Sequence, residues 1–420
     1  MPVASVPEER PSPEAPLRHF GRQRRVGLLL AGLLVTLGAC DGRPDPVAPP
    51  GPVTIALAAP AGDADVANGA RLAVDVVNEA HPDLPVPLAT ELGLPGLGGA
   101  PLRLTVVDTS SSAALAKVPG TLTAQRAVGV VCAGSAATVA SVSAQTEWLG
   151  LPLLDAVNSA DTLTDLGQEW YFRTAPSDRM LVDAAFALLR HQQLARTPEV
   201  KLAVLHDGRA DGLLALVRQL AGAAGYPTVA EVDIRTASAQ SIAASVDAEA
   251  NVLVAVAGTK DGATAATKVA ARTRESVPVL GIGPAFAGLT GGASDGSPVL
   301  LRAVGWSAEY VTRNPVASAV ASLYRKRFGS AMTAAAAETF TATLTLAVAL
   351  SGAGDADPTA IRATLRQMWL PATQVMLPWN GVRFDATGQN MLAGGVVEAR
   401  TQAGFRIVYP RELATVAVPW

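Results

Sequence analysis

The sequence predicts an α/β protein with two lobes, each built on a mainly parallel sheet with helices on both faces. The chain has 420 residues, which is longer than one ordinary domain and enough for two. From residue 53 onward, short apolar runs typical of buried strands alternate with segments of helical periodicity. This alternation indicates βαβ units, and it occurs in two separate series, so we expect two separate sheets.

The two series have similar organisation. In the first, residues 68–80 place apolar side chains on one helical face, and a further helix is expected to end near residue 126. The strands of the first series are predicted at residues 53–58, 102–108, 128–132 and 151–154. The second series is predicted to have strands at residues 201–205, 229–234, 252–257 and 277–282, and helices at residues 212–224, 237–248 and 262–272. Ligands bind at the carboxyl ends of strands in such sheets, so we expect a crevice there.

Composition and charge exclude several classes of protein. Apolar residues make up 49% of the chain and charged residues 16%, which is typical of a globular protein. The formal net charge of −3 provides no strongly basic surface, so no nucleic-acid partner is expected. We also expect no enzyme, metal or cofactor. The histidines are scattered, Ser135 lacks the flanking glycines of a nucleophile elbow, and Gly281 and Gly283 lack the third glycine of a dinucleotide motif.

The first forty residues have the features of an export signal. A basic region comes first and contains Arg18, Arg22, Arg24 and Arg25. The apolar stretch 26–37 follows, and it is shorter than the roughly twenty residues of a membrane span. It leads into Leu37-Gly-Ala-Cys40, which resembles the bacterial lipobox. Residues 1–40 are therefore predicted to be a lipoprotein signal peptide with Cys40 lipidated. The alternatives are an ordinary N-terminal anchor or a signal cleaved without lipidation.

Three further features complete the expected organisation. Residues 41–52 are rich in Pro and Gly and are predicted to be a tether. No later segment is expected to cross a membrane, because none combines the necessary length and apolarity. The second cysteine, Cys132, lies in an apolar strand pattern and is predicted to be a core residue rather than a disulfide partner.

Short motifs occur along the mature chain in a characteristic order. They lie at residues 55–60, 68–74, 77–79, 104–108, 130–137, 151–160, 171–178 and 381–388. Each motif is short, but their order and spacing resemble those of type I periplasmic binding proteins. The group they resemble most is the branched-chain amino acid and amide substrate-binding lipoproteins of ABC transporters. The resemblance covers about residues 53–410.

This resemblance implies a fold and a division into lobes. It implies two Rossmann-like lobes joined by a hinge of three crossovers, near Ser177, Trp306 and Pro378. Lobe 1 would comprise residues 53–177 and 307–378. Lobe 2 would comprise residues 178–306 and 379–420.

The resemblance also implies solute contacts in lobe 1. In the family, hydroxyls and backbone N–H groups after the third and fourth strands hold the carboxylate of an amino acid. The corresponding residues here are Ser135, Ala136, Val157 and Ser159, of which Val157 would contribute only its backbone. Ser135 also suits an N-cap, and Ser159 also suits an ordinary turn.

In lobe 2, the family supplies an aromatic residue and an acid that pairs with the solute's ammonium group. The corresponding stretches here contain Thr259, Lys260, Asp261 and Phe286, and the second stretch has no acid. Asp261 would replace the acid after a small register shift, and Phe286 would replace the aromatic. Lys260 would favour an anionic solute, or it simply begins a helix. An ammonium without a carboxylate partner is costly in a closed cleft, so the usual aliphatic amino acid is not favoured.

The function implied by the resemblance is solute capture outside the cytoplasm. The protein would bind a small polar solute (an amino acid, amide or carboxylate), close on it by hinge motion and dock on an ABC permease in the membrane. It would act as a monomer anchored through Cys40. The alternative is a ligand-sensing or scaffold lipoprotein that keeps the binding-protein fold without a transport role.

Overall fold

The computed structural model describes residues 50–195, 199–246, 250–273 and 277–419. The predicted signal peptide, Cys40 and most of the predicted tether lie outside these residues. The strands in the described part are β1 Val53–Ala59, β2 Leu102–Asp108, β3 Val130–Cys132, β4 Leu153–Asp155, β5 Tyr171–Arg173, β6 Leu202–His206, β7 Thr228–Asp233, β8 Val252–Val256, β9 Val279–Ile282, β10 Leu300–Val304, β11 Leu370–Pro371, β12 Gly381–Val382, β13 Val396–Thr401 and β14 Gly404–Tyr409. The helices are α1 Ala64–Asn78, α2 Ser112–Leu115, α3 Val118–Ala124, α4 Ala136–Leu149, α5 Asp178–Ala195, α6 Asp211–Ala223, α7 Ala239–Val246, α8 Lys260–Ala270, α9 Pro284–Ala287, α10 Pro315–Phe328, α11 Ala334–Ala353 and α12 Pro358–Gln367.

Two sheets organise two lobes. Lobe 1 is built on a five-stranded sheet in the order β2-β1-β3-β4-β5, with every neighbouring pair parallel. Lobe 2 is built on a seven-stranded sheet in the order β14-β13-β10-β9-β8-β6-β7. Its strands are parallel from β10 to β7, whereas β13 pairs antiparallel with both β10 and β14. The prediction of two mainly parallel α/β lobes is confirmed.

Both sheets are covered on both faces, which explains why their strands are almost continuously apolar. In β1, Ile55 and Leu57 pack in one core cluster, while Ala56 and Ala58 pack in another on the opposite face. Strand β8 repeats this arrangement in lobe 2, with alternate side chains in two separate clusters. Cys132 is buried among the apolar residues of lobe 1, so the predicted core position is confirmed.

Several predicted boundaries differ from the structure. The helix expected to end near residue 126 is two short helices, α2 and α3. Pro119 stands in the first turn of α3, where its missing N–H starts a new helix rather than extending the previous one. The antiparallel hairpin β13–β14 was not predicted, because its short alternating segments lack the continuous apolar pattern of the other strands.

Helix α11 corrects the expectation that no later segment has the composition of a membrane span. Its 20 residues meet that criterion of length and apolarity. In lobe 1, 72% of its most apolar window is buried. The helix packs along α1, where Gly69 lies against the backbone of Ala336 and leaves no room for a β-carbon. The apolar composition of α11 therefore suits a position inside the lobe.

Three chain segments connect the lobes. The first follows β5 and leads into α5, which packs in lobe 2, and the second follows β10. Trp379 and Phe384 pack in the core of lobe 1, whereas Val397 packs in lobe 2. From these contacts we propose that the third crossing lies near Gly395 rather than near Pro378.

Buried hydrogen bonds join the first and third connections. The Arg173 side chain is fully buried and donates from Nε to Gln389 Oε1 at 2.6 Å. Gln389 Nε2 donates to the carbonyl of Ala175 at 3.0 Å, and Asn390 Nδ2 donates to the carbonyl of Thr174 at 3.2 Å. These bonds hold the two connections side by side at the edge of β5.

Candidate functional site

Both sheets turn the carboxyl ends of their parallel strands toward the hinge. Strand β5 runs directly into the first connection and β10 into the second, and their parallel neighbours end at the same edges. The strand order reverses between β1 and β3 in lobe 1 and between β6 and β8 in lobe 2. Open α/β sheets bind ligands at such switch points. The loops after these strands are therefore the candidate site.

Ser135 lies at the switch point of lobe 1 and caps helix α4. Its Oγ accepts a hydrogen bond from the Thr138 N–H at 3.2 Å and lies 3.0 Å from Thr138 Oγ1. The residue is exposed, and Ala136, the first residue of α4, is half-buried. The structure thus gives Ser135 the capping role and leaves its side chain at the surface beside the first backbone amides of α4.

Asp155 ends β4 and organises the loop that follows it. Its fully buried carboxylate accepts from Tyr171 Oη at 2.9 Å, from the Asn158 N–H at 3.2 Å and from the Val157 N–H at 3.4 Å. Burial raises the pKa of Asp155 to about 6, although Tyr171 and the charge of Arg173 oppose the rise. At neutral pH this carboxylate therefore accepts from the backbone amide of Val157, which the family resemblance had implied as a solute contact.

Ser159 connects the same loop to the start of lobe 2. Its carbonyl accepts from the Asp178 N–H, the first residue of α5, at 2.7 Å. Burial raises the pKa of Asp178, while a hydrogen bond with the Ser159 side chain opposes the rise. Ser159 is half-buried and lies where the loop after β4 meets the first connection.

In lobe 2, Asp207 follows β6 and binds the loop after β8. Its Oδ2 accepts from the Thr259 N–H at 2.9 Å, the Thr259 hydroxyl at 2.8 Å and the Gly258 N–H at 3.1 Å, and its Oδ1 accepts from the Arg209 N–H at 3.1 Å. Burial opposes ionisation, but these hydrogen bonds outweigh it and hold the pKa of Asp207 below its ordinary value. Thr259 Oγ1 also caps α8 by accepting from the Gly262 N–H at 3.1 Å. Thr259 is thus engaged within lobe 2.

The other predicted residues of lobe 2 fall into two groups. Lys260 and Asp261 are exposed in the first turn of α8. Phe286 is 0% exposed and packs in the lobe 2 core with its ring against Gly281. In this structure Phe286 offers no surface to a solute, so we leave it out of the contacts proposed below.

Glu338, on α11, is a residue that the sequence reasoning missed. A β-carbon placed on Gly305 would lie 3.2 Å from Glu338 Oε1 and 2.9 Å from Pro176 Cγ, so the carboxyl lies against both of the first two connections. The side chain is half-buried. Burial raises the pKa of Glu338 to about 8, and the negative charge of Asp155 adds to the effect. Among the residues that the structure describes, no hydrogen bond or ion pair with Glu338 is found.

Comparison with known proteins decides the family. A family model described as periplasmic binding protein matches residues 55–403. The chain belongs to the periplasmic binding protein family. The predicted resemblance is confirmed, and membership supports a solute-binding role and a location outside the cytoplasm. No curated protein sequence matches this binding protein significantly.

Solved structures share the fold at low sequence identity. A substrate-binding protein of an ABC transporter from Desulfitobacterium hafniense, in complex with leucine, is 18% identical with a TM-score of 0.66, over 85% of this chain and 99% of that one. A leucine binding protein from Thermotoga maritima is 16% identical with a TM-score of 0.60, over 84% and 97% of the chains. A branched-chain amino acid periplasmic ligand-binding protein from Burkholderia xenovorans is 15% identical with a TM-score of 0.66, over 85% and 94%. These likenesses establish the fold.

The family and these neighbours are binding proteins rather than enzymes. Within residues 50–195, 199–246, 250–273 and 277–419, no group of three or more His, Cys, Asp or Glu is arranged to hold a metal. A cavity of about 240 Å³ is lined by residues that include Thr264, Lys268 and Arg400, and one of about 380 Å³ by residues that include His81, Asp83 and Lys326. Neither is lined by a predicted site residue. The strand ends at the hinge remain the candidate site of this binding protein.

Proposed function

We propose that this periplasmic binding protein captures a small polar solute between its lobes and presents it to an ABC permease. The solute class is an amino acid, an amide or a carboxylate. The observation that carries the proposal is topological. Both sheets turn a switch point toward the same hinge, and polar side chains of both lobes follow the strands that end there.

In lobe 1 we propose that the solute contacts Ser135, the amide of Ala136 and Ser159. Ser135 and Ala136 begin α4, whose free N-terminal amides suit an oxygen or carboxylate of the solute. In lobe 2, Lys260 and Asp261 are exposed in the first turn of α8 and supply one charge of each sign. Val157 and Thr259 act on the solute only indirectly, since Asp155 and Asp207 hold their N–H groups.

Hinge closure is the proposed mechanism. A solute shifts the equilibrium toward a closed form only through contacts that the open form does not make, so it must touch both lobes. The buried bonds between the first and third connections keep the hinge together while the lobes rotate. Delivery to a permease follows from release when the lobes reopen.

Thermal unfolding of the purified protein with a panel of amino acids, amides, urea, short carboxylates and aromatic acids tests this function. A solute present at about one hundred times its dissociation constant should stabilise the folded protein by about 2.7 kcal/mol. One clear and saturable hit supports solute capture. A panel without any stabilising compound would count against it.

A second candidate function is ligand sensing or scaffolding without transport. This function is favoured because backbone amides that could bind a solute already donate hydrogen bonds within the protein. Asp155 and Asp207 accept from them at two strand ends. The two functions differ in their partner. Capture of a membrane permease by the solute-loaded protein, but not by the free protein, supports transport. Equal capture of a membrane sensor with and without solute supports the scaffold.

We also propose that Cys40 carries a lipid that anchors the protein to the cell membrane. The support is the sequence 37–40 and the Pro/Gly-rich segment that follows it. Substituting Cys40→Ser should move the protein from the membrane fraction to the soluble fraction. Mass spectrometry of the N-terminal peptide should show an acylated cysteine in the wild type, and an unmodified thiol would refute the anchor.

A further inference from the structure

The carboxyl of Glu338 lies beside the hinge connections and has no charged partner among the residues that the structure describes. Glu338 is the only charged residue in the 20-residue helix α11. It projects from lobe 1 to Gly305 of the second connection and lies near Pro176 of the first. The side chain keeps some access to solvent, although segments of both connections lie against it. Glu338 therefore lies where the first two connections leave lobe 1.

The charges around Glu338 increase the cost of ionising it. The charge that acts on it is that of Asp155 at the end of β4, which has the same sign. Gly305 and Pro176 are uncharged, and α1 packs against α11 through Gly69 and Ala336, which are also uncharged. Asp155 has its own donors in Tyr171 and the loop amides, but Glu338 has none among the described residues.

Closing the lobes would remove the remaining water from this carboxyl. A buried carboxylate without a partner is strongly disfavoured, and a cation at hydrogen-bond distance removes the penalty. In lobe 2, Asp207 is engaged by the loop after β8, and Asp261 in the first turn of α8 is exposed to solvent rather than buried. We propose that Glu338 binds the ammonium group of the solute and thereby selects solutes that carry one. This inference rests on the proposed function and narrows its solute class.

The selected class is primary amines and amino acids with a free ammonium group. An amino acid would direct its ammonium group to Glu338 and its carboxylate to the amides at the start of α4. A simple carboxylate lacks the cation and meets Asp155 and Glu338 as like charges. Neutral amides would bind less tightly than the matched amine, because they donate without a charge.

Isothermal titration of the purified protein with matched compounds tests the inference. The first set of probes shares a branched alkyl group and differs in its polar groups: L-leucine, 3-methylbutylamine, 3-methylbutanol and 4-methylpentanoate. The second set is L-lysine, putrescine and glycine, with the alcohols and carboxylates that match them. The wild type should bind compounds with an ammonium group in preference to their matched partners. In E338Q the affinity for those compounds should fall at least about thirtyfold, whereas E91Q, which neutralises an exposed carboxyl of lobe 1, should bind like the wild type.

The pH dependence gives a second readout that a purely structural role would not produce. Binding a cation requires ionised Glu338, so the affinity should rise about tenfold per pH unit up to about 8 and then level off. E338Q should abolish this dependence. E338D, which keeps a carboxylate on a shorter side chain, should restore part of it. Thermal unfolding of each variant confirms that it is folded.

The outcomes separate this inference from the proposed function. If the wild type binds a neutral or anionic solute as tightly as the matched amine, or if E338Q binds amines unchanged, Glu338 does not select the solute, while solute capture stands. If no compound binds the wild type, both proposals are rejected for these classes of solute. Preferential amine binding that E338Q abolishes supports both.

Discussion

The two lobes place an aspartate after a strand at the candidate site, and the two residues have different surroundings. Asp207 in lobe 2 accepts hydrogen bonds from the backbone of Arg209, Gly258 and Thr259, and its pKa is held below the ordinary value. Asp155 in lobe 1 is fully buried, and its pKa is raised to about 6.

The difference lies in what surrounds each carboxylate. The polar groups near Asp207 satisfy one another, so they stabilise the fold of lobe 2, while the neighbouring charges of Lys260 and Asp261 are exposed to solvent. Near Asp155 there is a second carboxyl, Glu338, without a partner in the described part of the chain. A carboxylate whose hydrogen bonds are made within the protein stabilises the fold, whereas a carboxyl without a partner near a hinge is available to a ligand. Lobe 1 is therefore where we expect a partly buried acid to recognise the ammonium group of the solute.

The largest change in stability is expected from removing Asp207, whose carboxylate is fully hydrogen-bonded. Asp207→Ala should lower the free energy of unfolding by about 3 kcal/mol, because several buried N–H groups lose their acceptor together. Thr259→Val removes the hydroxyl bond and the cap of α8 but keeps the carboxylate, so it should cost only about 1 kcal/mol. Urea unfolding measures both. Equal costs would show that Asp207 does not organise the loop.

Removing the acid of Glu338, which has no partner in the described part of the chain, should raise the free energy of unfolding rather than lower it. In the folded protein the pKa of Glu338 is about 8, against an ordinary value of 4.5, so the folded state holds this proton more tightly than the unfolded state. Wild-type stability should therefore fall as pH rises from about 4.5 to about 8. Glu338→Gln removes this loss and should be roughly 2 kcal/mol more stable than the wild type near pH 8, an amount reduced by the residue's contact with water.

Denaturant titrations across that pH range, with Glu91→Gln as the matched control, measure the difference. The gap between E338Q and the wild type should narrow as the pH falls toward 4.5 and close below it, where the wild-type side chain is protonated in both states. A gap that is independent of pH would indicate a packing effect rather than a charge.

A smaller effect separates the two roles considered for Ser135. Ser135→Ala should cost about 1 kcal/mol of stability, because the Thr138 N–H loses its acceptor, whereas Ser135→Gly should cost only a few tenths. If the hydroxyl also contacts the solute, both variants lose affinity by the same factor. Affinity that follows stability instead would leave Ser135 as a cap alone. Calorimetric binding and thermal unfolding of the pair distinguish these cases.

The smallest effect concerns the coupling between the two carboxyls of lobe 1. Asp155→Asn removes a negative charge near Glu338 and should lower the pKa of Glu338 toward its ordinary value. The asparagine oxygen still accepts from the loop amides, so the loop should keep its conformation. Carbon-13 NMR of labelled glutamate side chains measures the titration. An unchanged midpoint would mean that burial alone sets it.

Much of the fold could be predicted from the sequence because the strands of a doubly covered sheet are continuous apolar runs. The predicted strands at 53–58 and 252–257 agree with β1 and β8 to within one residue. The break between α2 and α3 depends on Pro119 within an otherwise helical pattern, and the β13–β14 hairpin depends on pairing with a distant edge. Neither has a strong local signal.

The site was less predictable because side-chain direction and partners are tertiary properties. Phe286 follows β9, and the sequence does not distinguish a ring packed in the core from one facing a cleft. Asp155 occupies a family motif, but the bonds that its carboxylate makes with the following amides were not evident there. Glu338 had one signal, a lone charge in an apolar helix, which is costly unless the charge has a function.

The most direct test of the claim that Glu338 is unpaired and binds the solute is to measure the pKa of its carboxyl. Carbon-13 NMR of the glutamate-labelled protein, with E338Q to assign the resonance, should give a midpoint near 8 that falls when 3-methylbutylamine is added to saturation. A midpoint near 4.5 that does not respond to any of the amines would contradict both the unpaired state of Glu338 and its role in selecting the solute.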